Sequence, residues 1–467
     1  MQKNLLGWNH IRIIISLALF NFVFLGTEYL FDDRMACIVE AQEVVNAQNQ
    51  VLGASVLGFL CFGLLSDTLS KSLKQPFLGI FSIVYGICML VIAEYSSFAT
   101  VFGAGILAFI ILGMGGSAVC YYASHRTEMP ADLAKTVGIS YAVGIFIQFV
   151  NNNLVWGALA QAIVLFMGWI LLVVLVLLIS RLPEQKKEAV LAEQMESVKG
   201  AVLALVVTIA LMTVIFSTLD NAVTLVHAAG DYNIGQWTRL ILAVSGLTAG
   251  VLFDVKERKY MSLMMYLVTL LSTICVVIIQ FGGSFVLGLF VFYLSAGFFV
   301  VYFMTSFMDL SYYTKKPKLW AGIGRAVNNM CAILTSALSV RLLANGSQMA
   351  IMIIALILFV LINISMLLYL FFSKKQEPEK RNDQESGAKL LSEENHFALF
   401  VHTYALTERE SEVLKALLTS DDNVQNIAEE LAISRAALYR HIANLNEKTN
   451  TKSRVGIIQF YYEWLPE

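Results

Sequence analysis

Apolar runs long enough to cross a bilayer recur along this chain at about 11–31, 44–65, 76–95, 100–121, 135–156, 159–180, 200–219, 235–253, 260–281, 284–304, 319–341 and 349–372. Roughly 20 helical residues, at about 1.5 Å each, match a hydrocarbon layer ~30 Å thick. No globular core could hide so much oil. Of the 467 residues 58% are hydrophobic and 14% charged, where ordinary soluble domains carry about 25% charged residues. The first 373 residues therefore read as a polytopic helical domain with lipid as its solvent. The opening run reads as a span and not as a cleaved leader, because Phe31-Asp32-Asp33-Arg34 follows it without small residues.

Basic residues orient the spans, since cytoplasmic loops collect Lys and Arg. Lys3 and Arg12 precede the first span; Lys71 and Lys74, Arg126 and Lys135, Arg181, Lys186 and Lys187, Lys256, Arg258 and Lys259, then Lys315, Lys316 and Lys318 follow the even ones. The alternate loops hold almost no basic residues beyond Arg34 and Arg341, and instead carry Asp32, Asp33, Glu40, Glu43, Glu94 and Asp231. Both termini are expected in the cytoplasm of a multi-pass protein of the cell membrane. The six cysteines are scattered without a C-x-x-C, so neither a metal site nor any cofactor is expected.

The halves repeat. Gly63-Leu64-Leu65-Ser66-Asp67 ends span two and Gly250-Val251-Leu252-Phe253-Asp254 ends span eight, each with basic residues beyond. Residues 137–143 match 321–327 in the same way. This part of the chain resembles the major facilitator superfamily, whose G-x-x-x-D loop signature these segments carry. The resemblance implies two six-helix halves with spans one, four, seven and ten around a central cavity. Phe109 stands where a related pattern of that superfamily has Arg, four residues before Gly113-x-Gly115-Gly116.

From Lys374 the composition turns polar. Residues 374–397 read as a linker, and 398–467 as a small helical domain. Thr407 with Glu410 makes a capping box, Val413, Leu414, Leu417 and Leu418 an apolar face, and Ile427, Ala428 and Leu431 a short second helix. Ser434 then caps a third helix striped by Leu438, Ile442 and Leu445, and Ser453 opens a last one. Leu406-Thr407-x-Arg409-Glu410-x-Glu412-Val413-Leu414, Ile427-Ala428-x-x-Leu431-x-Ile433-Ser434, and then His441, Leu445, Lys448 and Arg454 resemble the LuxR-type DNA-binding domains. That resemblance implies that residues 435–448 enter the major groove and that the domain binds DNA as a pair. Ala437 and Tyr439 depart from the usual pattern.

The tail from Leu399 onward is net acidic, yet Arg435, Arg440, Lys448, Lys452 and Arg454 cluster in and after the third helix. A local basic face is what phosphate contact needs. The DNA-contact candidates are Ser434, Arg435, Tyr439, Arg440, His441, Lys448, Lys452 and Arg454; Glu410 could instead pair with Arg454 inside the domain.

Ionisable and amide groups inside a membrane are costly and mark candidate sites. Those singled out are Glu28, Gln148, Asn152, Asp220, Arg239, Arg325 and Asn328, with Phe20, Phe24, Tyr121, Phe299 and Tyr302 as candidate walls. A structural Asp220–Arg239 ion pair is the plainer reading of those two, and His227 reads as solvated in an outer loop. The fold class is thus all-α: a polytopic 12-helix membrane bundle, MFS-like in two six-helix halves, plus a C-terminal LuxR-type helix-turn-helix domain. The expected function is that of a membrane-bound one-component transcription regulator, with promoter DNA, membrane lipid and a small-molecule effector as partners and a homodimer on DNA. A transporter with a regulatory tail is the alternative, and no nucleophile–base pair points to an enzyme.

Overall fold

The computed structural model describes residues 7–66, 68, 71–126, 130–184, 192–256, 258–280, 284–345, 348–374, 396–419 and 424–464. The chain divides into two compact units, Met1–Gln376 and Glu377–Glu467. Most of the linker expected at 374–397, and the turn after Thr419, lie outside the described residues.

The first unit is a bundle of α1 (Trp8–Ala36), α2 (Ala41–Leu65), α3 (Lys71–Glu94), α4 (Phe98–His125), α5 (Leu133–Leu154), α6 (Ala158–Ser180), α7 (Ala192–Ala228), α8 (Arg239–Phe253), α9 (Met261–Gln280), α10 (Phe285–Ser311), the short α11 (Pro317–Trp320), α12 (Ile323–Asn345) and α13 (Gln348–Lys374). Nine described helices are by length and composition able to cross a membrane, and α8 and α9 are apolar but shorter. The remaining long helix, α12, carries Arg325, Asn328 and Asn329 on its first turns. Ile80, Ile83 and Ile87 of α3, Ile163, Met167 and Leu171 of α6, and Leu361, Ile364 and Leu368 of α13 stand exposed. Rows of this kind would aggregate in water and are at home in lipid. The protein is a multi-pass membrane protein.

Two helix pairs make the broadest contacts between the halves: α2 with α12, and α5 with α8. Small residues make the second pair close. A Cβ on Gly138 would lie 2.7 Å from the Cα of Gly250, and one on Gly250 2.7 Å from the carbonyl oxygen of Ala134. Only glycine permits this approach, which explains one of the repeated motifs as packing. Within the first half Gly113 does the same work, since its Cβ would meet the Ser55 carbonyl oxygen at 2.1 Å.

The second unit comprises α14 (396–403), α15 (Glu408–Thr419), α16 (Val424–Glu430), α17 (Arg435–Thr449) and α18 (Arg454–Glu463). It has its own core of Phe400, Val413, Leu414, Leu417, Ile427, Leu438, Leu445 and Ile457. The capping box forms: the Glu410 amide donates to Thr407 Oγ1 at 3.3 Å and the Thr407 amide to Glu410 Oε2 at 2.9 Å. Ser434 and Ser453 cap α17 and α18 through their Oγ atoms, which accept from Ala437 and Gly456 amides. Unforeseen in the sequence is α14, whose Phe400 packs on Tyr404, Tyr461 and Trp464.

Candidate ligand cavity and DNA-reading helix

Two of the longest helices bring charge to the middle of the first unit. α1 and α7 both run further than the apolar patterns suggested, so Asp32 lies inside α1 and Asp220 inside α7. Along α1, Phe24, Glu28 and Asp32 recur at every fourth residue and share one face; along α7, Phe216, Asp220 and Thr224 do so. The two faces meet across a cavity of about 140 Å3. Its walls hold Glu28, Asp32, Asp220, Arg239, Arg325 and Asn328, with Phe24, Phe216 and Phe299 among the aromatic lining.

Of the seven sequence candidates, the cavity gathers Glu28, Asp220, Arg239, Arg325 and Asn328. Gln148 is fully buried on α5, where it donates to the Leu25 carbonyl at 2.9 Å and accepts from Arg239 at 3.5 Å. Asn152 is half-buried and is not among the lining residues. Of the expected walls, Phe24 and Phe299 line the space; Phe20 and Tyr302 are packed away in the core, and Tyr121 bonds to Glu184 at 2.7 Å. The Asp220–Arg239 ion pair does not form: the salt bridges among the described residues place no carboxylate within 4.0 Å of Arg239. His227 is not simply solvated; it lines the cavity and stacks on Tyr29 at 5.5 Å.

Partners divide these groups unevenly. Glu28 accepts from Gln48 at 2.9 Å. Asn49 donates to Asn221 at 2.9 Å and Asn221 to Ser339 at 2.6 Å, bridging the halves. Asn329 donates to Ser55 at 2.8 Å. Arg325, only 8% exposed, lies over the rings of Phe24 (5.1 Å) and Phe303 (5.5 Å), one from each half. Its Nε and Nη2 have no hydrogen-bond partner among the described residues; nor do Arg239 Nε and Asp32 Oδ1. Asp32, expected in an outer loop, is in fact 6% exposed. Residues 32 and 33 ended the apolar run in sequence, and only helix length reveals that the first of them turns inward.

At the end of the bundle where α4 and α10 finish, the halves are tied. Asp254 accepts from the amides of Ala134 (3.2 Å) and Lys135 (2.7 Å) at the start of α5, and from Arg258 at 3.2 Å. A carboxylate at a helix N-terminus satisfies open amides and the helix dipole together. Tyr312 donates to the Ser124 carbonyl, and His125 is stacked between Tyr121 and Tyr312. Asp67, the equivalent residue of the first repeat, lies outside the described residues.

In the second unit the chain leaves α16 through Ala432, held at φ 52, and enters α17 at the Ser434 cap. Leu438, Ile442 and Leu445 bury one face of α17. Arg435, Tyr439 and Arg440 are exposed, Tyr439 at 54%. A capped helix with an outward row of two guanidiniums and a phenol has the chemistry to hydrogen-bond phosphates and base edges. Lys452 is exposed, whereas His441 and Arg454 are half-buried. Lys448 turns inward: its Nζ donates to Glu410 Oε2 at 2.6 Å and to the Ala405 carbonyl at 2.8 Å. Glu410 thus takes Lys448 as its partner instead of Arg454. Burial pushes the Glu410 carboxyl up, but the hydrogen bonds from Lys448 and Thr407 outweigh it and hold the group at about 2.

Together these features define a multi-pass membrane protein bearing a helix-turn-helix domain. Residues 404–461 match the bacterial regulatory proteins of the luxR family, so the C-terminal domain is of the LuxR type. The first unit is similar to the POT family transporter PepTSo (12% identity, TM-score 0.54, covering 79% of this chain and 98% of that one). It is also similar to the human organic anion transporter MFSD10 (15%, 0.50, 77% and 98%) and to the E. coli fucose:proton symporter FucP (13%, 0.50, 77% and 97%). At these identities the likeness concerns the fold, which is MFS-like. No curated protein matches the chain. Both kinds of relative, LuxR-type regulators and transporters of this fold, are in general not enzymes.

Proposed function

We propose that the chain is a membrane-bound one-component transcription regulator. It sits in the cell membrane with both termini cytoplasmic, takes a small-molecule effector into the cavity, and binds promoter DNA as a pair of C-terminal domains. The observation that carries this reading is the outward row Arg435, Tyr439 and Arg440 on a helix whose opposite face is locked into a complete LuxR-type core. Arg435, Tyr439, Arg440 and Ser434 are the groove-facing set; Lys452 and Arg454 flank them toward phosphate. Effector binding shifts the balance between two arrangements of the halves, and can do so only by unequal affinity for them.

The transporter alternative is disfavoured at Phe109. Its ring is fully buried and meets Phe24 edge-on at 5.2 Å, filling with hydrocarbon the place of a charge. The test is DNA binding by the full chain in lipid nanodiscs across a salt series. Wild type should bind promoter DNA with a steep salt dependence, and Arg435→Ala/Arg440→Ala should lose both affinity and slope. A double variant that still activates its promoter rejects the regulator reading.

A further inference from the structure

Resting on the reading of the cavity as a sensor site, we propose that its effector is a small zwitterion with an aromatic body, its carboxylate held by Arg325 and its ammonium by Glu28, Asp32 and Asp220. The lining is polarised along its length. Glu28 is one turn from Phe24, against which Arg325 lies, or about 6 Å along the helix, and Asp32 is one turn further. Arg325 and Glu28 therefore stand at neighbouring levels, within electrostatic reach of each other, as the two charges that an α-amino acid carries on one carbon require.

Each end lacks a partner. On a guanidinium, Nε and the neighbouring Nη2 form one edge of the planar fork, the edge that takes a carboxylate through two parallel hydrogen bonds. Those are the two Arg325 donors without a partner among the described residues. The acidic end gathers three carboxylates around Arg239, with Arg325 in electrostatic reach of Glu28, and Asp32 Oδ1 is unpartnered. An anion alone would meet that acidic surplus, and a cation alone would leave Arg325 unanswered. The same cavity has an aromatic wall for the body of the ligand: the rings of Phe216 and Phe299 stack at 4.4 Å and 4°.

The fork's edge is closed from solvent in this arrangement. Phe24 belongs to α1 in the first half and Phe303 to α10 in the second. A carboxylate reaches Nε and Nη2 only as those walls part, so binding is tied to the relative position of the halves.

The test uses the full chain in nanodiscs and three probes with one phenyl body: L-phenylalanine, 3-phenylpropionate without the amine, and 2-phenylethylamine without the acid. Calorimetry and thermal shift should rank L-phenylalanine roughly ten- to a hundredfold above either counterpart. Arg325→Gln should bring L-phenylalanine down to the level of 2-phenylethylamine without changing the amine's own affinity. Arg325→Lys, which keeps the charge and loses the fork, should fall between and guards against a folding artefact. Asp220→Asn should weaken L-phenylalanine and 2-phenylethylamine and spare 3-phenylpropionate. Equal binding of L-phenylalanine and either counterpart, or no binding by any of the three, overturns the proposal. If L-phenylalanine binds with this selectivity but promoter occupancy does not respond, the regulator reading fails and the ligand class stands. If the promoter responds in full to a molecule lacking either charge, the reverse holds.

Discussion

Replacing Glu410 by Gln isolates one electrostatic contribution to the DNA-reading domain. The side chain is 5% exposed and ties α15 to α17 through Lys448, while its other contact closes the capping box at Thr407. Its carboxyl is lowered from an ordinary 4.5 to about 2. At about 1.4 kcal/mol per pH unit this corresponds to about 3 kcal/mol before screening. The Lys448 side chain is 32% exposed, so solvent reduces the contribution to ~1–2 kcal/mol. The folded value lies below the unfolded one. The stabilisation is therefore complete above the unfolded value and is lost as pH falls toward the folded one. The assay is urea denaturation of a fragment spanning 396–464, which holds the whole of this core. At neutral pH Glu410→Gln should lower the midpoint by roughly 1–2 M, for a slope near 1 kcal/mol/M. Between about pH 5 and pH 2 the wild type should lose this margin and converge on the variant. Parallel loss by both proteins over that range would refute the assignment of the pair.

Ser434→Ala removes the cap that starts α17 and should cost about 1 kcal/mol in the same denaturation assay. Arg435→Ala and Arg440→Ala should each weaken promoter binding by about 1–3 kcal/mol, with a shallower salt slope for a residue that contacts phosphate, read by fluorescence anisotropy. Gly250→Leu places a side chain where the Gly138 backbone now lies, so the α5–α8 contact cannot form. The promoter response of Gly250→Leu should become independent of effector.

Patterns with a fixed period were legible in the sequence. The helices of the bundle and the core stripe of α17 follow from hydrophobic spacing, and the Ser434 and Ser453 caps from residue type. The cavity was legible in part, because a charge in an apolar run stands out. Glu28, Asp220, Arg239 and Arg325 announced themselves in this way. Asp32 did not, since an acidic pair ending an apolar run looks the same whether the helix stops or continues. Gln48 and Asn49 of α2 were passed over because amides near a helix start look like a polar edge; only the neighbouring helices show that they face Glu28 and Asn221. The choice between Lys448 and Arg454 as the partner of Glu410 depends on how α17 crosses α15, which no spacing encodes.

The energies on the two sides of the proposed switch are of similar size. At the tied end the Asp254 carboxylate on α5, Arg258 on the Ala131 carbonyl at 3.4 Å and the Tyr312 bond to Ser124 cross between the halves. Charged hydrogen bonds contribute about 1.5–3 kcal/mol each and neutral ones about 0.5–1.5 kcal/mol, so separating this end costs a few kcal/mol net of rehydration. Driving a two-state population from almost all closed to almost all open requires a difference of about 5.5 kcal/mol in ligand affinity between the states. A zwitterion gripped at both ends, through two charge-assisted contacts of about 1.5–3 kcal/mol each, reaches that scale. A ligand gripped at one end supplies half of it and should leave the population divided. Single-charge analogues that bind weakly at high concentration should therefore saturate at a partial transcriptional response. A full response from saturating 2-phenylethylamine would mean that Arg325 contributes nothing to the coupling between the halves.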